Sequence, residues 1–229
     1  LIKEDLIKSH PFLKFNDVDI IPHGFDPADF EDIVPLEKET HKLIITYSGI
    51  FYEGITPKFL LKAFKKLTLE NPDIALNIKL QFIGHFKKEN HKIVTKLKLE
   101  NFVEDVGYLS HKEALTRLIS SDILWIMLPQ GDRMFNVTPG KIFEYFGTKK
   151  PIIANLPEGI SKNLIKEYGA SFITKPNDVD EIKNTLLKCH ELYLKGKLPK
   201  PNDEFVNRYN RINLTEQLVK IFQFYLKTE

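Results

Sequence analysis

The chain has 229 residues, 42% of them hydrophobic and 17 of them phenylalanine, which is enough to bury a core without a metal or disulfide and argues against disorder. Its 33 Lys and Arg nearly balance 31 Asp and Glu, for a net charge of +2, so it lacks the wide basic field expected of a protein that binds nucleic acid. Cys189 is the only cysteine, which excludes an intrachain disulfide and a cysteine zinc cluster and fits a reducing compartment.

Lys3, Glu4, Asp5 and Lys8 interrupt the start of the chain, and no apolar run approaches the ~20 residues of a membrane span. The run 43–48 is β-branched and aromatic and ends at Gly49, as a buried strand does. Phe59, Leu60, Ala63, Phe64 and Leu67 then fall at helical spacing, predicting a helix over 57–69 that Asn71, Pro72 and Asp73 end. A strand over 76–83 stops at Gly84, a polar helix covers 88–99, and a short strand covers 102–107. Ser110 with Glu113 three residues on forms a capping-box pattern for a helix to about 119. Residues 123–128 are a continuous apolar strand closed by Pro129. Thr138 is a good N-cap and Pro139 suits the first position of a helix through 146. A strand at 151–154, a helix over 158–168 ending at Gly169, a weak strand at 171–173 and a helix over 179–194 follow. A Lys/Pro-rich linker at 196–201 and a helix over 214–226 complete the chain.

Alternating strands and helices, with apolar strands that do not alternate, predict an α/β fold: a doubly wound parallel sheet covered on both faces. Ligands of such sheets bind beyond the carboxyl ends of the strands. The segments to inspect are therefore 49–56, 84–87, 107–110, 129–138 and 155–159. Several familiar motifs are missing. There is no G-x-G-x-x-G, and Ile55 stands where a P-loop after Gly49 and Gly54 needs its lysine. No G-x-S-x-G, H-E-x-x-H or EF-hand loop occurs, and the seven histidines form no close ligand pair on a helix face. Each histidine is expected at a surface or turn. Trp125 and Cys189 read as core residues.

Residues 136–146 carry the chemistry. Gly140 removes a side chain from the first turn of the predicted helix, so a ligand can approach free N–H groups and the positive end of the helix dipole. Lys141 adds a full positive charge. Glu144 lies one turn in, and its carboxylate can accept from two vicinal hydroxyls such as those of ribose. An ordinary surface pair between Lys141 and Glu144, worth about 0.2–0.5 kcal/mol, explains the same two residues equally well at this point.

The segment resembles the donor-site signature of the GT-B glycosyltransferases, specifically the group 1 (family 4-like) retaining enzymes. Residues 19–26, 47–54, 106–109 and 208–226 resemble, in order, the start of the donor domain, its glycine loop, the loop that meets the base, and the helices that cross back to the other domain. The resemblance implies a Rossmann-like domain, one half of a GT-B architecture. It matches Glu144 to the second glutamate of a Glu-x7-Glu motif that holds the ribose. Val137, Thr138 and Gly140 match the loop and helix start that meet the diphosphate. Gly49 matches the glycine that lets the diphosphate approach, and Tyr108 the residue that meets the base. Asn136 stands where the first glutamate usually contacts the transferred sugar. The loop cations of the family are missing: Ile50 follows Gly49 and Glu53 precedes Gly54. Lys141 or Arg133 is the candidate substitute.

The domain organisation expected from this resemblance is a connector from a missing N-terminal acceptor-binding domain at 1–18, a nucleotide-sugar-binding domain at 19–201, and crossing helices at 202–229. The expected donor is a nucleoside diphosphate (NDP) sugar and the acceptor is open. No metal or other cofactor is expected, and no catalytic residue is assigned. The piece is expected to bind nucleotide without turning over. The expected setting is cytoplasmic. The lysines at 195–200 read as solvated, with contact to acidic lipid at the inner face of a membrane as the alternative. Two other functions compete: a non-catalytic nucleotide or nucleotide-sugar binding module derived from the family, and an α/β interaction domain with no ligand.

Overall fold

The computed structural model describes residues 2–38, 41–52 and 54–226. Six strands form one all-parallel sheet: β1 (Leu43–Ser48), β2 (Ile78–Ile83), β3 (Val103–Gly107), β4 (Ile123–Met127), β5 (Ile152–Asn155) and β6 (Ser171–Thr174). Their spatial order is β3-β2-β1-β4-β5-β6. This is the doubly wound, Rossmann-like sheet, with its switch point between β1 and β4. Ile45 pairs there with Ile123, and Thr46 with Leu124. From that line the chain winds outward in both directions, so the loops after β1 and β4 diverge and leave a crevice at their carboxyl ends.

Among the described residues the helices are α1 (Ile2–Ser9), α2 (Ala28–Glu31), α3 (Lys58–Glu70), α4 (Pro72–Ala75), α5 (Lys88–Leu97), α6 (His111–Ser120), α7 (Lys141–Thr148), α8 (Ile160–Tyr168), α9 (Val179–Leu194), α10 (Asp203–Arg208) and α11 (Arg211–Leu226). α3 buries Leu60, Ala63, Phe64 and Leu67 as its sequence spacing implied, but also Leu61, while Phe59 is only half-buried, and it packs on α5 and α9. Lys66 with Asp180, and Lys183 with Glu70, pin α3 to α9. The α6 capping box forms as predicted, with Ser110 N–H donating to Glu113 Oε2 at 2.9 Å. β4 is buried throughout, and Trp125 is 1% exposed with its indole N–H donated to Asn155 Oδ1. Cys189 is buried as well, and burial pushes its thiol pKa up.

Several boundaries differ from expectation. β2 starts at Ile78, because Pro72 at a first helical position lets residues 72–75 coil into α4. α5 ends at Leu97, where Lys98 turns left-handed. α8 starts at Ile160, after Gly159 has adopted φ +146°. The C-terminal segment is two helices, α10 and α11, with Asn202 capping the first through the N–H groups of Glu204 and Phe205. His190 is a larger departure: it is buried rather than superficial, because it shares the inner face of α9 with Ile182, Leu186 and Cys189. Burial lowers its pKa.

Residues 19–26 are tied to the C-terminal helices. Phe25 N–H donates to Tyr209 C=O at 3.0 Å, and Arg211 N–H donates to Phe25 C=O at 2.9 Å. A Cβ on Gly24 would collide with that same Tyr209 carbonyl, so only glycine permits the approach. Near the end of α11, Phe222 is 56% exposed.

Candidate functional site

Residues 49–52 follow β1 and residues 129–140 follow β4, so these two segments leave the sheet on either side of its switch point. Gly49 has φ +132°, which favours glycine, and its N–H donates to Ile83 C=O at 2.8 Å. Gly84, at φ +110°, packs so closely that a Cβ would lie 2.6 Å from Gly49 C=O. The two glycines thus hold the ends of β1 and β2 together and set where the loop leaves the sheet. Glu53 lies outside the described residues.

The approach to α7 is fastened to α8. Ile160 N–H donates to Phe135 C=O at 2.9 Å, and Ser161 Oγ–H donates to Val137 C=O at 2.6 Å. α7 itself begins later than predicted. Its N-cap is Gly140, and Thr138 makes no capping hydrogen bond. The reason is a tight turn past the proline: Ile142 N–H donates to Pro139 C=O at 3.0 Å, and Phe143 N–H donates to Gly140 C=O at 3.1 Å. The second and third amides of α7 are therefore satisfied internally. Among the described residues, the N–H groups of Thr138, Gly140 and Lys141 have no backbone acceptor. A Cβ on Gly140 would meet nothing within 4 Å, so the space over this end of the helix is open. Open amides at the positive end of a helix dipole attract an anion.

Lys141 does not pair with Glu144. Its ammonium points inward to Tyr47, donating to the phenol oxygen at 2.6 Å and lying 3.9 Å from the ring centroid. Burial lowers the Lys141 pKa to about 8, partly offset by the attraction of Glu144. Glu144 instead meets His111, with Oε1 3.2 Å from Nε2. Glu144 is 41% exposed and lines a cleft of about 330 Å³ together with His23, Asp26, His111, Gly140 and Arg211. The ordinary Lys141–Glu144 surface pair is thus not what forms. One residue turns to the sheet and the other to the cleft.

The remaining predicted residues lie around this core. Asn136 is exposed, while Val137 and Thr138 are half-buried in the loop that enters α7. Tyr108 follows β3 and is 89% exposed. Tyr145, one turn beyond Lys141, accepts from Ser48 N–H at 3.0 Å and donates to Trp125 C=O at 3.3 Å, so α7 is anchored to both β1 and β4. The structure thus adds Tyr47, His111 and Tyr145 to the site. Tyr47 and His111 meet their partners only across distant chain segments. Tyr145, by contrast, stands at i+4 from Lys141 inside the informative block. Among the described residues, no group of His, Cys, Asp and Glu gathers as a metal ion would need. Among those residues, no helix is long and apolar enough to cross a membrane.

A family model for glycosyl transferases, group 1, matches residues 29–201. No curated protein matches the chain. Among solved structures, HepE of Anabaena in complex with UDP and glucose has a TM-score of 0.68 at 16% identity, covering 96% of this chain and 60% of that one. A glycosyltransferase from Rickettsia africae has a TM-score of 0.68 at 15% identity, covering 100% and 62%. WaaG, a glycosyltransferase involved in lipopolysaccharide biosynthesis, has a TM-score of 0.64 at 14% identity, covering 91% and 55%. At such identities the likeness is one of fold. The chain spans about three-fifths of the length of the first of these structures.

Proposed function

We propose, because the chain belongs to the glycosyl transferases, group 1, that it is the donor-binding half of an enzyme that transfers a sugar from an NDP-sugar with retention of configuration. The observation that carries this reading is the open amino end of α7 at the crevice between β1 and β4. The free amides of Thr138, Gly140 and Lys141 receive the diphosphate there, and the Lys141 ammonium adds charge. Glu144, turned to the cleft, accepts from the ribose diol. Val137 shapes the loop, Gly49 keeps the opposite wall low, and Tyr108 borders the base. The neighbour solved with UDP and glucose supports a donor of this class. Catalysis then rests on stabilising the departing diphosphate through donors already in position.

Residues 19–201 form the nucleotide-sugar domain in this reading, and residues 1–18 and 202–229 lead to and from an acceptor-binding domain outside this chain. Isolated, the chain binds donor and does not transfer. The exposed apolar side chains of Ile212, Val219 and Phe222 on α11 support such a second domain. A second reading, a nucleotide-sugar binder without catalysis, is favoured by one observation: Asn136 supplies no carboxylate at the sugar end of the loop. Calorimetry of the chain with UDP-, GDP- and ADP-sugars tests donor binding, and one of the three is expected to bind. Transfer by the full-length protein separates the two readings. Absence of binding by all three sugars contradicts both.

A further inference from the structure

We infer that Tyr47 is a positioning residue of the donor site: its phenol holds the Lys141 ammonium over Gly49, where it neutralises the diphosphate in place of loop cations. This rests on the reading of α7 as the diphosphate site and adds a residue to it. Residues 49–54 read Gly-Ile-Phe-Tyr-Glu-Gly and contain no Lys or Arg, so the side chains of this wall bring no positive charge. The charge comes from the opposite wall, 94 residues later in sequence.

The hydrogen bonds have a defined direction. Tyr47 O–H donates to Ile50 C=O at 3.3 Å, so its oxygen lone pair is left for Lys141 Nζ–H. The relay runs from α7 through the phenol into the loop. The ring cannot swing away: it is 1% exposed and stacks on Phe51 with centroids 4.4 Å apart. Burial also pushes the phenol pKa up, so the hydroxyl stays neutral. A neutral acceptor matters. A carboxylate here would orient Lys141 and cancel its charge, whereas a phenol orients it and leaves the charge for an anion. An ammonium has three N–H donors, so two remain for phosphoryl oxygens. Gly49 completes the arrangement, because a Cβ there would strike Lys141 Nζ.

The test is calorimetry on the 229-residue chain, comparing wild type, Tyr47→Phe, Lys141→Met and the double variant. The ligands are UDP, GDP, ADP and their nucleosides, from pH 7 to 9.5. For the diphosphate that wild type binds, Tyr47→Phe is expected to lose about 3–10-fold in affinity, the effect of one misplaced charged hydrogen bond, with the nucleoside unchanged. In the Lys141→Met background the same change is expected to do nothing further. The pH above which affinity falls is expected to be lower in Tyr47→Phe than in wild type. A Tyr47→Phe variant that matches wild type while Lys141→Met loses affinity overturns the inference and leaves the donor reading standing. Equal loss for diphosphate and nucleoside also overturns it, as a merely structural effect. Wild type that binds none of the three diphosphates overturns the donor reading and this inference together. Should Tyr47→Phe fail to fold, wild type decides: cross-relaxation between the Lys141 Cε protons and the Tyr47 ring that persists while pyrophosphate shifts the Lys141 signals supports the inference, and loss of that contact on binding, or no shift of Lys141, overturns it.

Discussion

Replacing Glu144 by Ala tests the ribose contact, and its size follows from the geometry. One carboxylate oxygen already faces His111 Nε2 at 3.2 Å, so a diol meets a carboxylate with one oxygen fully available and one shared. A hydrogen bond to a charged acceptor contributes about 1.5–3 kcal/mol. Glu144 is 41% exposed, which places the loss in the lower part of that range. We expect about 1.5–2 kcal/mol, or roughly 10–30-fold in Kd for the nucleoside diphosphate. The diagnostic comparison is with the 2′,3′-dideoxy nucleotide. Wild type should bind it about as weakly as Glu144→Ala binds the ribonucleotide, and Glu144→Ala should not distinguish the two ligands. Titration calorimetry at pH 7.5 reads all four affinities. If Glu144→Ala loses equally for both nucleotides, or loses nothing, Glu144 does not hold the ribose.

Four other outcomes follow from the same structure. Lys141 binds an anion only when protonated and has a pKa of about 8 in the free protein, so diphosphate affinity should fall about tenfold or more between pH 7.5 and 9.5; Lys141→Met should make the profile flat over that range. Because this pKa lies below the usual 10.5, the unfolded chain binds more protons between the two values, and this group adds stability as pH rises through that window; urea unfolding of wild type against Lys141→Met isolates the difference. Gly49→Ala forces an L residue to φ +132° and a methyl into Lys141 Nζ, which should cost about 1–3 kcal/mol and lower Tm by about 3–10 °C by calorimetric scan. Asp178→Ala removes the carboxylate that caps α9 at Glu181 N–H, 2.9 Å away, and should cost about 1 kcal/mol with nucleotide affinity unchanged.

The comparison of sequence with structure has a physical pattern. β1 and α9 lie where the sequence places them; for β1 the β-branched and aromatic run ending in glycine is a local signal, and α9 is held at its start by a local Asp178 cap that the structure adds. The α6 capping box was legible for the same reason. The start of α7 was not: whether Thr138 or Gly140 caps it depends on the turn after Pro139 and on the Val137–Ser161 bond from a distant helix. Lys141 and Glu144 were recognisable as a pair of interest, yet their partners, Tyr47 and His111, come from other segments and become visible only in three dimensions. His190 is different. Its burial follows from the 182, 186, 189 spacing on α9, so the signal was present and outweighed by the expectation that histidines lie at surfaces. The roles given to Asn136 and Tyr108 rest on the family resemblance: both are exposed, and Tyr108 follows β3, two strands away from the switch point.

The amide resonances of Gly140 and Lys141 in the ¹⁵N-labelled chain bear most directly on the central claim. Inorganic pyrophosphate, added alone at pH 7.5, should move both signals strongly and saturably, with the matching nucleoside moving neither. If pyrophosphate leaves them in place and shifts amides elsewhere, the amino end of α7 is not where the diphosphate binds.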